Sequence, residues 1–436
     1  MHVIQGAIPL FFACILLELL WSQWTGRRIS RLNDALSDLS CGVLSQLVGI
    51  FDKALTLGAF IWVGKHLRLQ QLGGFLPEWP NRPAVLAGDG PLPWTVDGPA
   101  LLAWGVAFVL VDFCYYWSHR MSHEVNLLWA GHVVHHQSEE YNLSVALRQA
   151  SIGKAMTWVF YLPLALIGMP WQLFVVCHGL NLIYQFIIHT RAVGQMGRVT
   201  EWVLNTPSHH RVHHGVNPQY QDRNYGGVFI VFDRWFGTFQ REDEAPVYGI
   251  TKPLRSWNPL WANLHVFVQM ARDMRRTPGW RDRLRIVFGR PGWRPAALGG
   301  PDRPLPVSPE TFEKFDPPVP APLAAYGFVQ FATAIVGALV VLRSSAAGID
   351  AGLAAAAFFI VVALAGVAGV FERAQWARPL ETARLVALGA ACLALALTRG
   401  APALVTWGGL GFAVVSLVVL WRYRGALTEV ELAPIM

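Results

Sequence analysis

The stretch YYWSHRMSHEVNLLWAGHVVHH, Tyr115 to His136, holds two histidine boxes: HRMSH at His119 to His123 and HVVHH at His132 to His136. A third, HRVHH, lies at His210 to His214. Between His119 and His214 are eleven of the fourteen histidines, where an even spread would put about three. Residues three or four apart on a helix share a face, so each box aims two or three imidazoles at one place. A lone box is equally well explained by hydrogen-bonded structural histidines. Three boxes this close offer more donors than one tetrahedral zinc takes and point to a polynuclear metal site.

The surroundings of these boxes are apolar: 53% of residues are hydrophobic and 14% charged, and mean hydropathy is positive. The expected fold is an all-α integral membrane protein. Cys14, Cys41, Cys114, Cys177 and Cys392 sit in or beside apolar runs without paired spacing, which argues against a disulfide framework or a zinc knuckle. A net charge of +7 would suit nucleic acid in a soluble protein. Here the arginines flank apolar spans, so anionic lipid headgroups are the expected partner and nucleic acid is not. The apolar start has neither a basic leader nor a small-residue cleavage pattern, so the first span is expected to remain.

Apolar runs near 4–21, 41–63 and 101–117 are each read as a crossing of a ~30 Å hydrocarbon layer. Arg27, Arg28 and Arg31 place the first loop in the cytoplasm and the N-terminus outside. The loop 65–98, with Trp79 and Trp94, then belongs to the far side. Residues 155–189, broken at Gly168, Met169 and Pro170, form a hairpin of two short arms. Whether tilted or re-entrant, the arms return the third box beside the first two. Residues 325–421 supply four more runs, for about nine transmembrane helices, with the boxes on the cytoplasmic face. Between them, 258–294 mixes Trp261, Trp280 and Trp293 with Arg272, Arg275, Arg276, Arg281, Arg283 and Arg285. This is the composition of interfacial amphipathic helices, although a helix packed on the site would read similarly. A proline-rich linker spans 301–322. The expected regions are 1–97, N-terminal transmembrane; 98–250, catalytic; 251–322, interfacial segment and linker; and 323–436, a C-terminal four-helix bundle.

Single residues add detail. Asp112 precedes His119 by nearly two turns and shares its face, either as a carboxylate orienting an imidazole or as an acid bonded to a neighbouring helix. Glu124 follows His123 and could ligate metal, hold a cofactor or be a solvated acid. His178, Gln185 and His189 form a polar stripe, with His189 favoured as a ligand and His178 as a buried structural residue. Residues 217–239 read as a cap. Imidazole accepts zinc, copper, nickel or iron, so donor type leaves the metal open. There is no HExxH of the zincin peptidases and no ExxH of soluble di-iron bundles.

The order HxxxH, HxxHH, HxxHH on a membrane protein resembles the fatty acid hydroxylase and sterol desaturase superfamily. The fuller strings YYWSHRMSHEVNLLWAGHVVHH, YNLSVALRQ, NTPSHHRVHHG and NYGGVFIVFDRWFGTF resemble its glyceryl-ether monooxygenase branch, over residues 101–253. The resemblance implies two non-haem iron ions, O2 as oxidant and a tetrahydropterin as reductant, with a reductase protein as the alternative donor. It assigns metal to His119, His123, His132, His135, His136, His210, His213 and His214, and places Glu124 at the family's important acid. His189 and His209 match histidines of related sequences, His209 either as a ligand or as a support for the ligands. The implied reaction hydroxylates the carbon beside the ether oxygen of an alkylglycerol, giving a hemiacetal that collapses to fatty aldehyde and a glycerol derivative. The lipid headgroup would meet Arg148, Arg211 or the interfacial arginines.

Another lipid hydroxylase or desaturase, acting on an acyl chain, a sterol-like ring or a headgroup, could use the same iron site. A metal transporter or sensor is the non-enzymatic reading, though transport would spread ligands through the spans. The membrane would be the inner membrane of a bacterium or the endoplasmic reticulum of a eukaryote.

Overall fold

The computed structural model describes residues 2–69, 79, 85–87, 94–302, 307–308, 310, 312–398 and 400–427. Parts of the 65–98 loop, and of the linker expected at 301–322, lie outside the described residues. The described residues are nearly all helical. A short antiparallel hairpin, β1 (Val85–Ala87) and β2 (Trp94–Val96), lies ahead of the site.

Among the described residues, seven helices are long and apolar enough to cross a membrane. They include α1 (His2–Thr25), whose qualifying window begins at Gly6. A further helix, α2 (Leu32–His66), bends by 47° between Leu32–Phe51 and Leu55–His66 and makes an eighth if its halves form one span. The expected ninth, the first hairpin arm, is not a continuous helix. It is broken into Gly153–Thr157, a 3-10 turn at Trp158–Tyr161 and Leu162–Leu166. About fourteen residues at a rise of ~1.5–2.0 Å reach ~21–28 Å, short of the hydrocarbon thickness. The chain turns at Gly168, in the left-handed region at φ +75°, where the Trp79 indole donates to the Ile167 carbonyl at 2.9 Å.

Two compact units are interleaved in sequence: Met1–Ser30, Phe51–Pro253 and Asn263–Phe312 make one, and Arg31–Ile50, Leu254–Ala262 and Glu313–Met436 the other. In the first, α3 (Gly98–Glu124) starts at the Asp97 cap, whose side chain accepts from Ala100 N, with Pro99 in the opening turn. Helix α3 then carries Asp112 and the first box. The second and third boxes lie on the short helices α4 (Val133–His136) and α6 (Pro207–His213), and α5 (Trp171–Ile188) ends at His189. Phe60, Val111, Leu164 and Leu173 share one apolar core. Phe11 of α1 packs on Phe186 of α5, with ring centroids 4.3 Å apart.

Helices α7 (Pro259–Arg276) and α8 (Trp280–Phe288) carry Trp261, Trp280 and the six arginines named for the interfacial segment, and Trp293 follows α8. On α8, Trp280, Leu284 and Phe288 follow one another at four-residue spacing and are exposed, the pattern of a helix lying at a lipid boundary. Asn126, just past the first box, ties this helix down by donating to the Ile286 and Gly289 carbonyls.

In the second unit, α9 (Ala321–Ser344), α10 (Ala351–Phe371), α11 (Ala377–Leu397) and α12 (Ala403–Arg422) are the four expected runs. Their composition reads as apolar throughout, yet they enclose an ion pair. Arg384 donates to both oxygens of Glu381 at 2.7 Å and to Gln330, and Tyr326 donates to the same carboxylate. Arg384 is therefore buried within α11. Gly366 makes room for the pair, since a Cβ there would meet Glu381 Oε1 at 2.0 Å.

Candidate metal centre

Nine imidazoles converge in two adjacent groups. His119, His123, His132, His136 and His213 form one, and His135, His189, His210 and His214 the other; within each, one ring nitrogen per residue lies within 4.8 Å of the rest. Helical periodicity explains how each HxxHH box feeds both. On α4, His132 and His136, four apart, serve the first group, and His135, a turn edge away, the second. On α6 the pattern reverses, with His210 and His214 in the second group and His213 in the first. Consecutive histidines diverge by ~100°, so HxxHH is a way of lining two centres from one turn. The groups touch where His136 and His214 stack at 4.4 Å.

Backbone carbonyls fix the rings. His119 Nδ1 faces Tyr225 O at 2.8 Å, His135 Nδ1 faces Arg148 O at 3.0 Å, His189 Nδ1 faces Gln185 O at 2.6 Å, and His213 Nδ1 faces Arg223 O at 2.9 Å. A carbonyl only accepts, so each Nδ1 carries the proton and each Nε2 presents a lone pair. The His135 and His189 Nε2 atoms are nevertheless 3.2 Å apart, and buried Nε2 atoms of His123, His213 and His214 have no partner. Facing lone pairs with no proton between them call for a cation. Imidazole donors bound at ~2.0–2.1 Å to one ion lie about 3–4 Å apart, so the donor set fits a metal in each group. Burial, with neighbouring imidazoles adding to it, pushes His132, His136, His210 and His214 well below the ordinary histidine range. Neutral imidazole, the ligating form, is thereby favoured.

Three expected site residues stand elsewhere. His209 belongs to neither group. Its Nδ1 accepts from Thr206 N at 3.4 Å at the start of α6, and its ring packs on Phe239, because a residue just before His210 points about 100° away from it. Asp112 orients no imidazole directly. It accepts from Asn181 at 2.6 Å, Val228 N at 2.9 Å and Phe229 N at 2.8 Å, joining α3, α5 and the cap. Glu124 accepts from Arg120 Nε at 2.8 Å and lies outside both groups. His178 packs between Tyr161 and Phe174, as a structural histidine would. The arginines expected at the headgroup are also engaged: buried Arg148 binds Val134 O and Gln137, and Arg211 makes a two-bond pair with Glu242.

Sequence reading passed over Glu18, an acid inside the first apolar span and thus a legible signal. It accepts from Leu143 N at 2.8 Å and from the Thr190 hydroxyl, next to His189. It also passed over Asp233, which accepts from Tyr225 N and Gly226 N at 2.7 Å each and so steadies the carbonyl that holds His119.

Residues 104–238 match the fatty acid hydroxylase family. An alkylglycerol monooxygenase of Xenopus tropicalis is 36% identical over 384 residues, 87% of this chain and 80% of the relative. That of Homo sapiens is 38% identical over 390 residues, with the same coverage of 87% and 80%. An ornithine lipid hydroxylase of Rhizobium tropici is 24% identical over 154 residues, 34% of this chain and 44% of the relative. No solved structure matches. With most of its length aligned and its nine imidazoles gathered, the chain belongs to the alkylglycerol monooxygenase family of membrane fatty acid hydroxylases.

Proposed function

We propose that this chain is a membrane-bound non-haem di-iron monooxygenase. It hydroxylates the carbon beside the ether oxygen of an alkylglycerol, with residues 98–250 as its catalytic region. The observation that carries the reading is the division of nine imidazoles into groups of five and four, in a chain aligned over 87% of its length with alkylglycerol monooxygenases. Two irons, when bound, would supply the means to spend O2 on a C–H bond. One oxygen atom enters the product, and the other is reduced with two electrons drawn from a tetrahydropterin. The hemiacetal then collapses to a fatty aldehyde and a free glycerol hydroxyl.

The chain's own part is to position and to exclude. The first group would be held by His119, His123, His132, His136 and His213, and the second by His135, His189, His210 and His214. Glu124, close to His123 but outside both groups, is assigned to the pterin. The cap from 217 to 239 covers the imidazoles and keeps water out. An apolar groove along α3, lined by Leu102, Val106, Val109 and Phe229 among others, suits the alkyl tail, and the exposed arginines of α7 and α8 suit anionic headgroups at the cytoplasmic face.

Purified protein given an alkylglycerol, O2 and a tetrahydropterin is expected to release fatty aldehyde, and the His135→Ala protein none. Iron-loaded protein that makes no aldehyde would turn the assignment toward another lipid hydroxylase or desaturase.

A further inference from the structure

Tyr225 sits against three members of the five-histidine group. Its ring centroid lies 5.8 Å from that of His119, 5.3 Å from His123 and 6.1 Å from His213. The residue is 0% exposed and its backbone is pinned at both ends, N–H to Asp233 and carbonyl to His119. Its hydroxyl, however, is buried with no hydrogen-bond partner. A buried hydroxyl without a partner is destabilising and uncommon. Two other tyrosines show the contrast: Tyr116, packed on Tyr225, bonds Thr238, and Tyr141, beside the four-histidine group, bonds the Ile188 carbonyl. A phenylalanine would fill the same space at Tyr225 without that cost.

We infer that the Tyr225 hydroxyl donates a hydrogen bond to an acceptor atom of a ligand bound at the five-histidine group. That acceptor is either a small ligand of the metal or an oxygen of the lipid. The inference rests on reading that group as a metal centre, and assigns Tyr225 as a further residue that touches the reacting ligand.

The test uses full-length Tyr225→Phe protein, with iron content, azide affinity, lipid KM and stability of the iron-free form measured beside wild type. Unchanged iron with azide bound at least about ten-fold more weakly supports donation to a small metal ligand. Unchanged azide affinity with a lipid KM raised about ten-fold supports donation to the lipid. In both cases the iron-free variant should be at least as heat-stable as wild type, because the hydroxyl it lacks was unsatisfied. If neither azide affinity nor KM moves, the inference is overturned while the metal reading stands. A variant that fails to fold also overturns it, since the hydroxyl would then serve the fold. Wild type that binds no iron removes the metal reading, and the inference with it.

Discussion

His135 and His189 meet Nε2 to Nε2 at 3.2 Å while the carbonyls of Arg148 and Gln185 hold their Nδ1 atoms. Only a cation makes that contact favourable, so removing either ring should cost metal before it costs fold. His135→Ala and His189→Ala are each expected to lose about half of the bound iron and to slow turnover by at least ~100-fold, while remaining in the membrane. Metal analysis and an aldehyde assay decide it; full iron with normal turnover would take these rings out of the centre.

His209 provides the matched contrast, one residue from His210 of the four-histidine group but in neither group itself. His209→Ala should keep its iron and lose roughly 1 kcal/mol of stability with the helix-start contact. Iron loss comparable to that of His135→Ala would make His209 a ligand after all.

Glu124 pairs with Arg120 and contributes to neither group. Glu124→Ala is expected to retain iron and to raise the tetrahydropterin concentration needed for half-maximal turnover by about ten-fold, the scale of one charge-assisted hydrogen bond. Loss of iron would reassign the carboxylate to the metal.

Gly227 lets the cap approach the spans. A Cβ there would meet Asp112 Oδ1 at 2.4 Å, Asn181 Oδ1 at 2.8 Å and Tyr115 at 2.9 Å. Gly227→Ala must push the loop off Asp112, stranding the Val228 and Phe229 amides at ~1–3 kcal/mol each. A clear drop in the temperature of inactivation is expected, and an unchanged one would show that the loop is not anchored there.

Asp233 gives a pH dependence of definite sign. Burial raises its carboxyl from 3.8 to about 6, so between those values the folded chain binds more protons than the unfolded one. Its contribution to stability is therefore full below about pH 4 and declines as pH rises through about 6, by roughly 1–3 kcal/mol. In iron-free protein, the Tm of wild type minus that of Asp233→Asn should fall from pH 4.5 to 6.5. A constant difference would contradict the buried carboxyl.

Much of this was legible before any coordinates. The spacing in HxxHH contains the division of each box, since residues four apart share a face and neighbours diverge, and His189 was reachable from its place at the end of an apolar arm. What spacing could not carry is which element lies opposite. Asp112 shares a helical face with His119, yet α5 and the cap meet it first. His209 lies inside a run of gathered histidines and is turned outward by one step of the helix. The broken arm at Gly153–Leu166 has span-like hydropathy but too little length, and the Glu381–Arg384 pair is hidden by the apolar average of its helix.

All nine gathered donors are imidazoles, with no carboxylate among them, and the Nδ1 contacts described above end on main-chain oxygens. Such a shell cancels none of the formal charge of a cation it binds. Two divalent ions there would keep four positive charges in a largely dehydrated enclosure, which favours anionic guests and resists further loss of electrons more than a carboxylate-rich shell would. Because the supporting oxygens belong to the backbone, replacing the side chains that carry them would leave this excess charge in place.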